Sequence, residues 1–121
     1  MAGAANAAGL NPGDRYLGII IPTLATLAKY GWDVDRFVMA VHVQAGRCGV
    51  CERVPETSRL VIDHAHVPKW KKMPPGRRRL FVRGLCCRWC NGQFLGRFAT
   101  LARTRSVLRY LERFEVTRPD A

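Results

Sequence analysis

Acidic residues are scarce in this chain. Of its 121 residues, 9 are Asp or Glu and 20 are Lys or Arg, which gives a net charge of +11 at neutral pH. A surplus of this size predicts a polyanionic partner, most simply nucleic acid, because a positive field concentrates polyanions at the protein surface. A basic protein that is merely soluble is the alternative that the charge alone leaves open.

A hydrophobic run long enough for a membrane is also missing. The apolar stretch at residues 17–28 is too short to span a bilayer and contains Pro22. It also lacks the basic flank and the small-residue cleavage site of a signal peptide. The sequence therefore gives no support to a membrane role. It predicts instead a packed or dimerising helix over residues 16–30, with Pro22 limiting the first half.

The chain has little material for a core. A length of 121 residues predicts one domain, and 48% apolar residues is ordinary for a globular protein. We expect that domain to cover residues 15–114. A disordered tail over 1–14, rich in Ala and Gly at its start, would precede it, and a flexible tail over 115–121 would follow. A core this small commonly needs a metal or a partner chain.

Cysteine occurs five times, an odd number that does not fit a disulfide framework. Four of the five form C-x-x-C pairs, Cys48 with Cys51 and Cys87 with Cys90. This spacing predicts one structural Zn²⁺ ion held by four thiolates, a closed site in a reducing cytoplasm. Two matched pairs argue against a redox dithiol. Cys86 is predicted to be a small buried residue beside a ligand.

Each C-x-x-C pair predicts a zinc knuckle, a tight turn whose thiolates point at one metal. The first knuckle is Cys48–Cys51 and the second is Cys87–Cys90. The pattern around them predicts the order helix, knuckle, strand, loop, strand, knuckle and helix, which is an α+β arrangement. Because Pro-Pro-Gly at 74–76 disfavours regular structure, we expect an irregular loop between the strands. A two-stranded hairpin is unstable alone, so zinc would cross-link its flanks and complete the core. The predicted elements are a helix capped by Asp33 and ended by Gly46, strands over 59–63 and 80–83, a loop over 67–79, a helix from about Asn91 and a helix over 104–114.

Polar side chains collect at the end of the first predicted strand. Asp63, His64 and His66 stand there, and Asn91 begins the helix after the second knuckle. If one Zn²⁺ ion binds all four cysteines, the hairpin and that helix come into contact. This contact brings a carboxylate, a carboxamide and an imidazole near one point. Oxygen ligands suit Mg²⁺ or Mn²⁺, and a neutral imidazole suits a general base. Metal-binding, catalytic and purely structural interpretations of Asp-His-x-His all remain open.

A basic loop follows these residues. It would grip phosphates, and Trp70 would stack on a base. A solvated charged loop is the plainer alternative, but adjacency to the candidate site favours DNA. Further arginines at 97, 103, 105, 109 and 113 extend the basic surface. The predicted DNA-binding residues are Lys69, Trp70, Lys71, Lys72, Arg77, Arg78, Arg79 and Arg83.

Residues 29–114 resemble the recombination endonuclease VII family of phage His-Me finger (HNH-type) nucleases. The similar stretches are QAGRCGVC at 44–51, VIDHAH at 61–66 and RGLCCRWCN at 83–91. In the family, the segment after Asp-His-x-His is short. Here roughly ten extra residues, rich in Lys, Arg and Pro, precede the second strand, a long insertion by ordinary loop lengths.

The resemblance implies a zinc-stabilised ββα-metal core with flanking helices, Mg²⁺-dependent cleavage of branched DNA such as Holliday junctions, and an intertwined homodimer. It implies that Asp63 and Asn91 hold the catalytic metal, that His64 activates water, and that His66 stabilises the scissile phosphate. We expect 5′-phosphate and 3′-hydroxyl products, and a phage protein of this kind in the host cytoplasm. Two alternatives stay open, an HNH-type nicking or homing endonuclease acting on duplex DNA and a zinc-built DNA-binding module without catalysis.

Overall fold

The computed structural model describes residues 9–96 and 99–119. It combines short helices with two small sheets, which confirms the predicted α+β class. No helix in this described part is long and apolar enough to cross a membrane. The elements are β1 (Arg15–Tyr16), β2 (Ile19–Ile20), α1 (Leu24–Lys29), α2 (Val34–Val43), β3 (Val61–His64), α3 (Pro75–Arg78), β4 (Val82–Cys86), a π-helical segment (Cys90–Phe94) and α4 (Leu101–Thr117).

A hairpin and a short helix replace the single helix predicted over residues 16–30, so that prediction is wrong in its first half. β1 and β2 pair antiparallel around a tight turn in which Gly18 has a φ of 81°. Ile19 and Ile21 are both buried, which is the period-two pattern of a strand. Pro22 then separates β2 from α1. The turn and the proline divide one apolar run into two elements.

Part of the predicted N-terminal tail is ordered. The Gly13 N–H donates to the Ile21 carbonyl at 2.8 Å, and the Ile21 N–H donates to the Asp14 carbonyl at 2.8 Å. Leu10 packs against the core. The rest of the predicted tail, residues 1–8, lies outside the described residues, as do Arg97 and residues 120–121. At the other end, α4 continues through Thr117, past the predicted limit of 114.

α2 is the central helix of the core. It begins after Asp33, whose carboxylate accepts a hydrogen bond from the Arg36 N–H at 2.8 Å, as the sequence predicts. Phe37, Val38 and Val41 form its buried face. α2 packs against α1 and against β4, the second strand of the β3–β4 hairpin. The other buried apolar residues of the core include Ile19, Ile21, Leu27, Leu60, Ile62 and Leu85.

The second hairpin, β3–β4, carries the candidate site. Ile62 lies opposite Leu85 and Asp63 opposite Gly84, but His64 lies opposite Val82. A bulge between Asp63 and His64 therefore leaves one extra residue, Arg83, on the β4 side. β4 begins and ends later than the second predicted strand, at Val82–Cys86 rather than 80–83.

The insertion between the strands is folded, and the prediction of an irregular loop is wrong. It contains a 3₁₀ turn at Trp70–Lys72, then α3, then a second 3₁₀ turn at Arg79–Phe81. Pro75 occupies the first helical position, where its missing N–H is not needed. α3 contacts α1, and a side chain at Gly31 would collide with the Pro75 carbonyl. Proline thus begins a helix here instead of excluding one.

α4 stands apart from the core. The Thr100 hydroxyl caps it by accepting a hydrogen bond from the Arg103 N–H at 3.1 Å. It is longer than the predicted helix over 104–114, and none of its residues is buried within the described chain. Its apolar side chains Val107, Leu108, Leu111 and Phe114 are each more than half exposed.

Candidate metal centre and active site

The four paired cysteines come together in one cluster. Their Sγ atoms all lie within 4.8 Å of one another. Cys48 and Cys90 are buried, while Cys51 and Cys87 are half-buried. Four thiolates at about 2.3 Å from a single Zn²⁺ ion need this degree of clustering. The predicted set is confirmed as a group positioned to bind a metal, and its all-sulfur donors suit zinc.

The two knuckles have matching geometry. In each, the second cysteine's N–H points at the first cysteine's sulfur at 3.5 Å, Cys51 to Cys48 and Cys90 to Cys87. The Gly49 N–H also donates to the carbonyl of Leu85 in β4 at 2.9 Å. This bond fastens the first knuckle to the strand that leads into the second.

The thiols differ in how readily they ionise. Burial would raise the pKa of Cys48, but hydrogen bonds from neighbouring N–H groups, including those of Cys51, Cys87 and Val50, outweigh it and lower this pKa to about 6. Burial foremost, and hydrogen bonds to neighbouring cysteines next, raise the pKa of Cys90. A cation held among the sulfurs would offset the unfavourable ionisation of the buried Cys90 thiol, because metal ligands bind as thiolates.

Gln44 links the helix, the first knuckle and β4, a role that no sequence signal indicates. Its Nε2 donates to the carbonyls of Arg47 at 2.8 Å and Leu85 at 2.9 Å, and its Oε1 accepts from the Leu85 N–H at 2.9 Å. Gln44 is the C-cap of α2. One side chain therefore satisfies both backbone groups of a buried residue.

Asp63 is buried, with 5% of its surface exposed, and Arg83 holds both of its oxygens. Arg83 Nε lies 2.7 Å from Oδ2, and Nη2 lies 3.0 Å from Oδ1. The bulge in β4 makes this bidentate pair possible, because it leaves Arg83 unpaired in the register. Hydrogen bonding to the carboxylate raises the pKa of Arg83 further. The sequence predicts Arg83 as a DNA contact, but the structure directs its guanidinium to Asp63.

Asn91 lies in the first turn of the π-helical segment, directly after the zinc-type ligand Cys90. Its Oδ1 is 3.8 Å from the Sγ of Cys86, a thiol that is fully buried and outside the metal cluster, as predicted. Burial, and next the charge of Asp63, raise the pKa of Cys86 to about 12, so it stays a neutral donor. Cys86 therefore contacts Asn91, and its pKa responds to the charge of Asp63, the other predicted oxygen ligand.

His64 is enclosed by rings. The Trp70 indole stacks on its imidazole with centroids 3.9 Å apart and planes 11° apart, and the His66 ring is 5.3 Å away. The ring of Tyr30, a residue to which the sequence assigns no role, lies 5.9 Å away. Burial first, and the neighbouring His66 second, lower the pKa of His64 below 6.5. Its imidazole is therefore neutral at neutral pH and able to accept a proton.

The predicted DNA-binding residues fall into two groups. Arg78 donates to the carbonyls of Lys29, Lys71 and Trp70, so its guanidinium, like that of Arg83, is engaged inside the fold. Trp70 is half-buried against His64. The rest are exposed on the surface of the insertion, namely Lys69, Lys71, Lys72, Arg77 and Arg79.

Comparison with known proteins identifies one family and two phage relatives. The family model described as recombination endonuclease VII matches residues 24–113. The Gene 59 protein of Mycobacterium phage L5 is 35% identical over 71 residues, covering 58% of this chain and 37% of that protein. The Gene 59 protein of Mycobacterium phage D29 is 34% identical over 71 residues, covering 58% of this chain and 36% of that protein. The match therefore spans little more than a third of either relative. No solved structure matches this chain.

Proposed function

Because the chain belongs to the recombination endonuclease VII family, we propose that it is a metal-dependent endonuclease that cleaves branched DNA such as four-way junctions. One observation carries the proposal beyond family membership. A buried carboxylate, Asp63, and a neutral imidazole, His64, occupy adjacent positions at a strand bulge, and Cys86, on the strand paired with β3, lies 3.8 Å from the carboxamide oxygen of Asn91. The surrounding surface is basic, as a DNA substrate requires.

We assign Asp63 and Asn91 as the protein ligands of a catalytic Mg²⁺ or Mn²⁺ ion. Carboxylate and amide oxygens are the donors that these ions prefer, and Mg²⁺ commonly takes only one or two carboxylates, completing its shell with water and substrate phosphate. The contacts of Asp63 with Arg83 use one lone pair on each oxygen, which leaves others for a metal. When bound, the ion would supply positive charge against the phosphate.

His64 is the proposed general base. Its neutral imidazole accepts a proton from the attacking water, and the exposed His66 beside it stabilises negative charge on the scissile phosphate. Water attacks phosphorus, the P–O3′ bond breaks, and the products carry 5′-phosphate and 3′-hydroxyl ends. The opposite end chemistry would contradict this assignment.

The proposed DNA contacts are the exposed cations of the insertion, whereas Arg78 and Arg83 add positive charge but direct their guanidinium groups to partners within the fold. The segment is anchored to α1 by the Arg78 side chain, so its exposed cations lie on a fixed surface, namely Lys69, Lys71, Lys72, Arg77 and Arg79. Substitution of Arg77 and Arg79 by Gln should weaken DNA binding and flatten its salt dependence, because fewer counterions are released. An unchanged salt dependence would show that the insertion does not contribute to DNA binding.

We further propose that the chain is a homodimer in which α4 packs on a second copy. Val107, Leu108, Leu111 and Phe114 form an apolar stripe along one side of a helix that the described chain leaves uncovered. The core of one copy is small, which is the situation in which association contributes most to stability. Light scattering should give twice the monomer mass, and Leu111→Glu should reduce it to the monomer value.

The decisive experiment is cleavage, in Mg²⁺, of a labelled four-way junction and of a linear duplex with the same arm sequences. His64→Ala serves as the catalytic variant and His42→Ala as the control, since His42 lies on α2 and pairs with Tyr16. We expect junction cleavage that His64→Ala abolishes and His42→Ala retains. Equal cutting of both substrates would favour an HNH-type nickase. Binding without cutting would leave a zinc-built DNA-binding module.

A further inference from the structure

The insertion before β4 folds back onto the candidate site instead of extending into solvent. Trp70 lies in the 3₁₀ turn at its start, six residues after His64, and its ring lies flat on the imidazole at 3.9 Å. Tyr30, at the end of α1, lies 6.1 Å from the Trp70 ring and 5.9 Å from the His64 ring. Aromatic groups from two separate segments thus surround one catalytic candidate.

Arg78 fixes the turn that carries Trp70. Its Nε donates to the Trp70 carbonyl at 3.3 Å, its Nη2 to the Lys71 carbonyl at 2.8 Å, and its Nη1 to the Lys29 carbonyl at 3.0 Å. Its guanidinium carbon also lies 5.7 Å from the centre of the indole ring. The Lys29 carbonyl is at the C-terminus of α1, where a cation is favoured. A single side chain therefore ties together α1, the Trp70 turn and α3.

A free imidazole has a broad torsional minimum about its last side-chain bond, so the plane of a histidine ring is set by what touches it. The stacked indole removes this freedom for His64. Proton transfer depends steeply on the orientation of the accepting nitrogen, and small misplacements cost large factors in rate. One face of the indole is occupied by the imidazole and is not available to a DNA base in this arrangement.

We propose that Trp70 is a positioning residue that holds the plane of the His64 imidazole for catalysis, and that Arg78 holds Trp70 in place. The insertion then has two roles: it holds the side chain of the general base in place, and it presents a charged surface. This inference rests on the proposed role of His64 as the base. It differs from the base-stacking role that the sequence predicts for Trp70.

The contact itself is tested without DNA. In zinc-loaded protein, the ring protons of His64 should be shifted upfield by the indole ring current, and their NMR signals are assigned by their loss in His64→Ala. Trp70→Leu should move these signals downfield, and Trp70→Phe should restore part of the shift. Trp89→Leu is the matched control, because Trp89 is exposed and packs edge-on against Phe94. His64 signals that do not move in Trp70→Leu would overturn the proposal.

The catalytic consequence is tested by separating rate from binding. Trp70→Leu should lower the single-turnover cleavage rate at saturating enzyme by roughly 10- to 100-fold, with a change in junction Kd of less than about threefold. Trp70→Phe should recover most of the rate. Arg78→Gln should reproduce the loss, and Arg78→Lys should recover little, because one ammonium cannot bridge three carbonyls in the fixed geometry of a guanidinium.

Two results would overturn this assignment. A Trp70→Leu variant with weaker Kd and an unchanged saturated rate would make Trp70 a DNA-stacking residue. Unchanged rates in both Trp70→Leu and Arg78→Gln would remove the positioning role. Cleavage that survives His64→Ala would instead overturn the proposed function, and the ring-proton shifts would still decide whether Trp70 holds His64.

Discussion

The Asp63–Arg83 pair should contribute far more to stability than an exposed ion pair of similar length. Asp63 is 5% exposed, and both of its oxygens accept hydrogen bonds from one guanidinium. Replacing Arg83 by Ala leaves a buried carboxylate without its partner. Breaking a fully buried pair costs about 3–5 kcal/mol. Because 38% of the Arg83 side chain is exposed, water replaces part of the interaction, and we expect a loss of roughly 2–3 kcal/mol.

The chain offers a matched control in α4. Arg118, directly after α4, contacts Glu115 at 3.0 Å, and 59% of the Glu115 side chain is exposed, against 6% for Asp63. Exposed pairs typically couple by only about 0.2–1 kcal/mol. A double-mutant cycle to Ala at each pair removes the contribution of each side chain alone and isolates the interaction. We expect a coupling energy of roughly 1.5–2.5 kcal/mol for Asp63–Arg83 and about 0.3 kcal/mol for Glu115–Arg118.

The assay is urea unfolding of zinc-loaded protein without Mg²⁺, at one fixed protein concentration so that association does not vary. With a slope of about 1.5 kcal/mol per M, Arg83→Ala should lower the unfolding midpoint by roughly 1.5 M. A coupling at Asp63–Arg83 as small as that at Glu115–Arg118 would refute the reasoning. It would mean that the Asp63 carboxylate is solvated and that Arg83 remains available to DNA.

Three other predictions concern the zinc site, the Gln44 hydrogen bonds and the proposed general base His64. Cys51→Ser should unfold the domain, because metal binding and folding are coupled, and a folded variant free of zinc by elemental analysis would contradict this. Gln44→Ala should lower the free energy of unfolding by about 2 kcal/mol, because the buried Leu85 N–H loses its acceptor; Val43→Ala, an exposed change on the same helix, should leave the urea midpoint near wild type. The pKa of His64 lies below 6.5, so the imidazole is deprotonated at neutral pH, and cleavage should fall only as pH drops through that lowered pKa. An acid limb with its midpoint above 6.5 would show that His64 is not the base.

Sequence reasoning succeeds here where a local rule determines the structure. Asp33 and the helical spacing after it predict α2, and the two C-x-x-C pairs predict the sulfur cluster. The segment 17–28 shows where such rules stop. Its apolar residues are dense enough to fit either a helix or a strand, and only the turn at Gly18 and the packing of Ile19 decide between them.

The candidate site shows a second limit. The positions of Asp63 and His64 follow from the strand that carries them, but the partners of these residues do not. Arg83 reaches Asp63 because of a bulge that shifts the register by one residue. Trp70 reaches His64 because an insertion with Pro-Pro-Gly folds into a helix and two turns. Charge and composition predict that Arg83 and Trp70 contact DNA. Only the tertiary structure shows that each packs against a residue of the candidate site instead.

The sulfur cluster can control an oxygen-ligand site without touching it. Asp63 belongs to β3, whereas Asn91 follows the second knuckle, so their relative position depends on how that knuckle is held against the hairpin. Cys90 directly precedes Asn91, and Cys86 contacts its carboxamide from β4. A metal bound by the four thiolates would fix the turn from β4 into the π-helical segment at both ends, because its ligands Cys87 and Cys90 flank that turn. The metal centre would therefore act on the proposed catalysis through geometry alone, by holding the two proposed ligands, which lie on separate elements of a small core, in one relative position.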